Sequence, residues 1–136
     1  MKRICIFLLS ASLLCLASCQ DPAKSRIYMD EGFKLMMVYS QFEKAEQAFD
    51  KAIKYDKNNY EAYYHRGCAK VNEQKYKEAI EDFEKATELK PDYADAYFNL
   101  GKTYFILGDS DKTCTYYRLA EKYGRQNLED YLRSCP

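Results

Sequence analysis

Apolar residues are distributed along this chain in two ways. From Ile4 to Leu16 they run almost without interruption, closed by the small residues Ala17 and Ser18. Further on they recur at intervals among Lys, Glu and Asp, with a period of 34 residues. Ala45 returns as Ala79, Phe49 as Phe83 and Tyr117, and Ala52 as Ala86 and Ala120. Tyr63 returns as Tyr97, Gly67 as Gly101, and Phe42 as Tyr76. Such a period predicts a stack of repeated units, none able to cover its own apolar face, with about three as the practical minimum. Asn58-Asn59 and Pro91-Asp92 break the chain between units, and Gly108-Asp109 ends a helix within the third. After Gly124, Leu128, Tyr131 and Leu132 follow i, i+3, i+4 spacing, which predicts a capping helix over 128–136.

Tyr97-x2-Leu100-Gly101-x2-Tyr104 resembles the W-x2-L-G-x2-Y signature of tetratricopeptide repeats, with tyrosine in the tryptophan place. Ala79-x3-Phe83, followed by Pro91, resembles the second half of that motif. The resemblance implies an all-α fold of three helix-turn-helix repeats, at about 26–59, 60–93 and 94–127. These would wind into a right-handed superhelix completed by the C-terminal capping helix. Gly67 and Gly101 would let the first helix of a repeat lie close to the second, with Ala79 small for the same reason. Phe49, Phe83 and Tyr117 would fill the wider gaps, each large buried side chain contributing roughly 1.5–3 kcal/mol. Ala52, Ala86 and Ala120 would receive the next repeat's first helix. Three departures stand out. Gly32 comes one residue early relative to Phe42, so that turn is expected to hold an extra residue. Arg66 and Lys70 occupy places where the motif prefers apolar residues, and Thr113 replaces the small alanine.

The N-terminal run belongs to a different process. Lys2 and Arg3, the apolar stretch and the small-residue exit describe a secretory signal over 1–18, short for a permanent membrane span. Leu16-Ala17-Ser18-Cys19 resembles the bacterial lipobox. That implies cleavage before Cys19 and a covalent lipid on its thiol, the sulfur being the nucleophile that accepts such a group. A retained signal anchor, or an ordinary signal cut nearby, is the alternative. Residues 19–25 would then be the lipidated cysteine and a short tether. A tether of about six residues spans about 20 Å at most, so the domain would be held at the membrane surface. Gln20, unlike the aspartate that marks inner-membrane retention, favours an outer-membrane lipoprotein facing the periplasm.

Charge and cysteine content narrow the chemistry. Of 21 basic side chains, Lys2 and Arg3 leave with the signal, so 19 face 21 acids and the formal charge is −2. An electrostatic nucleic-acid binder would show a clustered basic excess. The fourteen tyrosines are read as packing residues with polar tips, not a base-stacking platform. Cys68, Cys114 and Cys135 remain in a compartment that permits disulfides. With one histidine and no CxxC pair, metal binding has no support. Cys114 and Cys135, each ten residues from the Gly124–Arg125 turn, are candidates for a bridge worth about 3 kcal/mol. Two free thiols is the alternative. His65 has no nucleophile at a matching spacing, and no motif for a substrate, cofactor or phosphate appears. No catalytic residue and no cofactor beyond the lipid are expected.

In the resembled family the first helices of successive repeats line a concave groove that binds peptides or helices. Carried over, the groove positions are Glu61, Tyr64, Cys68, Val71 and Asn72, then Asp95, Phe98, Lys102, Phe105 and Ile106. Tyr64, Val71, Phe98, Lys102 and Phe105 are the expected contacts, the aromatics as anchors. The carboxylate clamp of chaperone-binding relatives is not expected, since Lys102 and Asn99 are its only plausible members. The expected function is a non-catalytic adaptor that captures a segment of an envelope protein, with no nucleic-acid or small-molecule partner. Two rivals are a structural oligomer built by repeat stacking and an accessory factor for cell-wall glycan using acids such as Glu61 and Asp95.

Overall fold

The computed structural model describes residues 20–136. The expected signal segment 1–18 and the expected lipidation site Cys19 lie outside the described residues. The described residues form seven helices and no strand. The helices are α1 (Pro22–Met37), α2 (Phe42–Tyr55), α3 (Tyr60–Asn72), α4 (Tyr76–Leu89), α5 (Ala94–Ile106), α6 (Ser110–Lys122) and α7 (Glu129–Leu132). Each helix packs against the next in the chain. In addition α3 touches both α1 and α5, whereas α2, α4 and α6 do not touch one another. The odd-numbered helices are therefore the closer-set inner layer, and the even-numbered helices splay outside it.

Small residues set the closeness within each pair. Ala45, Ala52, Ala79, Ala86 and Ala120 are fully buried. An added Cβ on Gly32, Gly67 or Gly101 would meet the ring of Phe49, Phe83 or Tyr117 at 2.7, 2.7 and 2.6 Å. The glycine and its aromatic are 16 residues apart in repeats two and three and 17 in repeat one. The extra residue lies in the turn, which runs 38–41 in repeat one but 73–75 in repeat two, so both faces of the pair keep their register. In all three of these turns the residue two before the second helix has positive φ: Ser40 at 52°, Gln74 at 61° and Gly108 at 78°. Only repeat three places glycine there, the residue that adopts this conformation without a Cβ clash.

Arg66 and Lys70 enter the interior by sharing one acid. Asp82 is 4% exposed. It accepts from Arg66 Nε and Nη2 at 2.9 and 2.5 Å, with Lys70 Nζ 2.9 Å away. Arg66 reaches on to Asp50 of the preceding repeat at 2.6 Å. Charges that would be costly alone are thus paired and hydrogen-bonded. Thr113 is buried because its hydroxyl donates to the backbone carbonyl of Asp109 at 2.7 Å, one turn back.

Two boundaries differ from the sequence expectation. Residues 22–25, expected as tether, are the first turn of α1. Pro22 stands at its start, and the Asp21 side chain caps it by accepting from Lys24 N. Asp21 N donates to Tyr55 O at 2.8 Å, and buried Ser25 accepts from Asn59 Nδ2 at 3.1 Å, which fixes this turn on the domain. The cap is also shorter than 128–136. Helix α7 is a single turn, after which Cys135 N closes back on Leu132 O. Pro136 disfavours helix at the residue before it, and a disulfide draws Cys135 onto α6.

Candidate functional site: the inner groove

Three cavities lie in a row along the inner layer. The first, of about 490 Å³, is lined by Phe33, Met36, Met37 and Phe42 on one side and by Tyr64, His65, Cys68 and Asn72 on the other. The second, about 260 Å³, shares Cys68 and Asn72 with it and adds Val71, Asn99, Lys102 and Ile106. A third, about 440 Å³, shares Lys102 and Ile106 with the second and is closed by Phe105, Thr113, Tyr117 and Tyr131. Shared walls make these one continuous groove across α1, α3, α5 and the C-terminal segment.

The expected contact residues fall into three states. Phe105 and Lys102 are exposed on the groove, Phe105 by 70%. Tyr64 and Val71 are half-buried and also support the core beside Phe83 and Leu100. Phe98 does not face the groove. It is 7% exposed and packs with Tyr117, Ala120 and Leu128, with the Tyr131 ring edge-on at 5.1 Å and the Arg125 guanidinium 4.2 Å from its centroid. The reason is local: α7 takes the place of a fourth repeat's first helix and covers the position. Asp95 is likewise engaged, by Arg125, so the acids proposed for glycan chemistry are not a free pair.

Sequence reasoning missed Phe33, Met36 and Met37, although Met37 is 64% exposed. The one-residue insertion hid them. Aligned on Gly32 and Gly67, an offset of 35, Phe33 falls on Cys68, Met36 on Val71 and Met37 on Asn72.

Polar groups sit at the groove's centre. Asn99 Nδ2 donates to Tyr64 OH at 3.1 Å and to Cys68 Sγ at 3.4 Å. Burial raises the Tyr64 hydroxyl's pKa and pushes the Cys68 thiol up to about 11, with Lys102 across the groove acting in the opposite sense. Cys68 is therefore a protonated thiol at neutral pH, without the thiolate that reactivity needs. Burial lowers the pKa of His65, which lies between Phe33, Phe49 and Tyr64, ring centroids 5.3, 5.8 and 5.0 Å away. A neutral imidazole in that aromatic setting packs and does not act as an acid at physiological pH.

Cys114 and Cys135 are joined by a disulfide, with Cα atoms 5.5 Å apart. The bond ties the third cavity's outer wall, with Tyr131 and Ser134, to α6. Among the described residues no group of three or more His, Cys, Asp or Glu is placed to hold a metal ion. No helix among them is long and apolar enough to cross a membrane.

Comparison with known proteins agrees with this geometry. Family profiles described as tetratricopeptide repeats match residues 48–81, 69–108 and 94–127. The chain is 36% identical over 77 residues to the Hsp70-Hsp90 organizing protein of Triticum aestivum, a stretch that is 57% of this chain and 13% of that protein. It therefore spans a small part of the curated relatives it matches. Among solved structures, the first repeat domain of Spaghetti, bound to the HSP90 peptide SRMEEVD, superposes with a TM-score of 0.80 at 22% identity. That match covers 85% of this chain and 92% of the other. MamA superposes with a TM-score of 0.70 at 29% identity, covering 76% and 60% respectively.

Proposed function

Because residues 48–127 are tetratricopeptide repeats, we propose that this protein is a non-catalytic adaptor that holds a segment of a partner protein in its inner groove. The observation that carries the reading is the continuous groove itself. Its three cavities leave Phe33, Met37, Phe105 and Ile106 exposed at its walls, and contiguous exposed apolar surface marks an interaction site. Proteins of similar fold hold peptides, as the Spaghetti complex does.

The setting belongs to the proposal as well. The Leu16-Ala17-Ser18-Cys19 motif supports a lipid on Cys19 and hence a bacterial envelope protein, and Gln20 favours the periplasmic face of the outer membrane. With α1 starting at Pro22, only Gln20 and Asp21 separate that cysteine from the folded domain. So short a connection would keep the groove at the bilayer surface, raising its effective concentration towards membrane partners.

Stacking into an oligomer is disfavoured by α1. Ala69 of α3 packs on Ala45 and Phe49 of the preceding repeat, and its α5 counterpart, Thr103, is buried too. The same position on α1, counted from Gly32, is Lys34, which is exposed. A long cation where neighbours carry Ala or Thr obstructs the approach of another repeat.

The test is affinity capture from detergent-solubilised envelopes. The full-length protein is compared with a Phe33→Ala, Phe105→Ala, Ile106→Ala variant shown to be folded by circular dichroism. A partner held by the parent and lost by the variant is expected. A partner held equally by both would move the working surface off the groove.

A further inference from the structure

Lys102 is the cation around which the groove is organised. It lines the second and third cavities and forms part of the wall between them. Its side chain is exposed, with Nζ 5.7 Å from the centroid of Phe98. Among the described residues no carboxylate lies within ion-pair distance of it. The nearby acids have cations of their own. Asp95 is held by Arg125, and Asp130, which lines the third cavity, is 2.7 Å from Arg133. The inward-facing cations of repeat two, Arg66 and Lys70, are committed to Asp82. Although the domain carries no basic excess, Lys102 presents at this point of the groove a positive charge that no carboxylate among the described residues pairs with.

The geometry on either side of that charge is apolar. Towards α3 lie Val71, Phe83 and Ile106; towards the C-terminal segment lie Phe105, Tyr117 and Tyr131. Asn72 and Asn99 line the second cavity; their Nδ2 groups donate to the Cys68 carbonyl and to Tyr64 and Cys68 Sγ, which leaves their Oδ1 atoms to accept from a peptide backbone. We propose that the groove selects a segment in which one side-chain carboxylate is flanked on both sides by apolar side chains. The carboxylate meets Lys102 Nζ and the apolar groups enter the second and third cavities. A single cation between two apolar cavities reads one acid within a chain; it does not require a free C-terminus. The inference rests on the groove being the working surface.

The experiment is selection from displayed random nonapeptides on the folded domain, in two libraries: one enclosed by Gly-Ser spacers, the other ending in a free carboxylate. Parent, Lys102→Glu and Lys102→Arg forms are compared. The parent should enrich an acid between apolar residues from the enclosed library, and Lys102→Arg should keep that preference. With Lys102→Glu the acidic peptides should lose about tenfold in affinity, a change expected for reversing one exposed charge pair, and a basic residue should replace the acid in newly selected sequences. The same consensus from parent and Lys102→Glu would overturn the inference while leaving the groove reading intact. Enrichment only from the free-carboxylate library would also overturn it. Recovery of no peptide from either library would contradict the groove reading itself, and this inference with it.

Discussion

A Cβ placed on Gly67 would lie 2.7 Å from Cε1 of Phe83. That contact sets the distance between α3 and α4, and it recurs as Gly32 with Phe49 and Gly101 with Tyr117. Phe83 is fully buried, so its ring has no free side to move towards. Gly67→Ala should therefore destabilise the domain by about 1–3 kcal/mol through overpacking, despite alanine's better helix propensity. Urea unfolding followed by circular dichroism measures this. A variant as stable as the parent would mean the ring can shift.

The recurrence was legible in the sequence because glycine, alanine and aromatic types are dictated by the space available between helices. Repeats two and three share one spacing, with Gly67 and Phe83 returning as Gly101 and Tyr117 after 34 residues. Repeat one departs from it, because its turn holds one more residue and the 34-residue ruler slips there, which hid Phe33 and Met37. The fate of Phe98 was illegible for another reason. Whether a groove position is open depends on what packs over it, and α7 is a single turn with little periodic signal.

Asp82 partners both Arg66 and Lys70, so its removal leaves Lys70 without a carboxylate and Arg66 with Asp50 alone. Asp82→Ala should cost about 3–5 kcal/mol. Arg66→Leu, Lys70→Tyr and Asp82→Tyr together install the residues that repeat three carries as Leu100, Tyr104 and Tyr116. That triple variant should be close to the parent in stability, since replacing a buried ion network with packed apolar groups is often neutral or better. Chemical denaturation of both variants checks the pair of expectations.

The disulfide between Cys114 and Cys135 holds a segment with few other anchors. Leu128 is the one side chain after α6 that is buried, at 2% exposure, and Arg118 adds a contact to the Pro136 carbonyl. Cys114→Ser with Cys135→Ser should lower stability by about 3 kcal/mol and speed amide hydrogen exchange over residues 128–135. Unchanged exchange there would show that Leu128 and Tyr131 suffice to hold the cap.

Burial depresses the folded-state pKa of His65 below its ordinary 6.5. The unfolded chain then binds the proton more readily than the folded one. The stability from this site is complete above the unfolded value and falls as pH drops from there towards the folded value. Glu61 opposes the shift but does not reverse it. His65→Phe should remove this part of the acid sensitivity as pH falls below about 6.5, as read from thermal unfolding at a series of pH values. An identical slope in parent and variant would assign it to other groups.

A partner held in the inner groove must lie against the side chains of its walls. A photo-reactive phenylalanine analogue introduced at Phe105, at Met37, or at the exposed outer-layer residue Glu81 tests it in the full-length protein in its own membrane. Covalent adducts to one and the same partner are expected from positions 105 and 37, and none from position 81. Adducts from position 81, with none from the two groove positions, would contradict it.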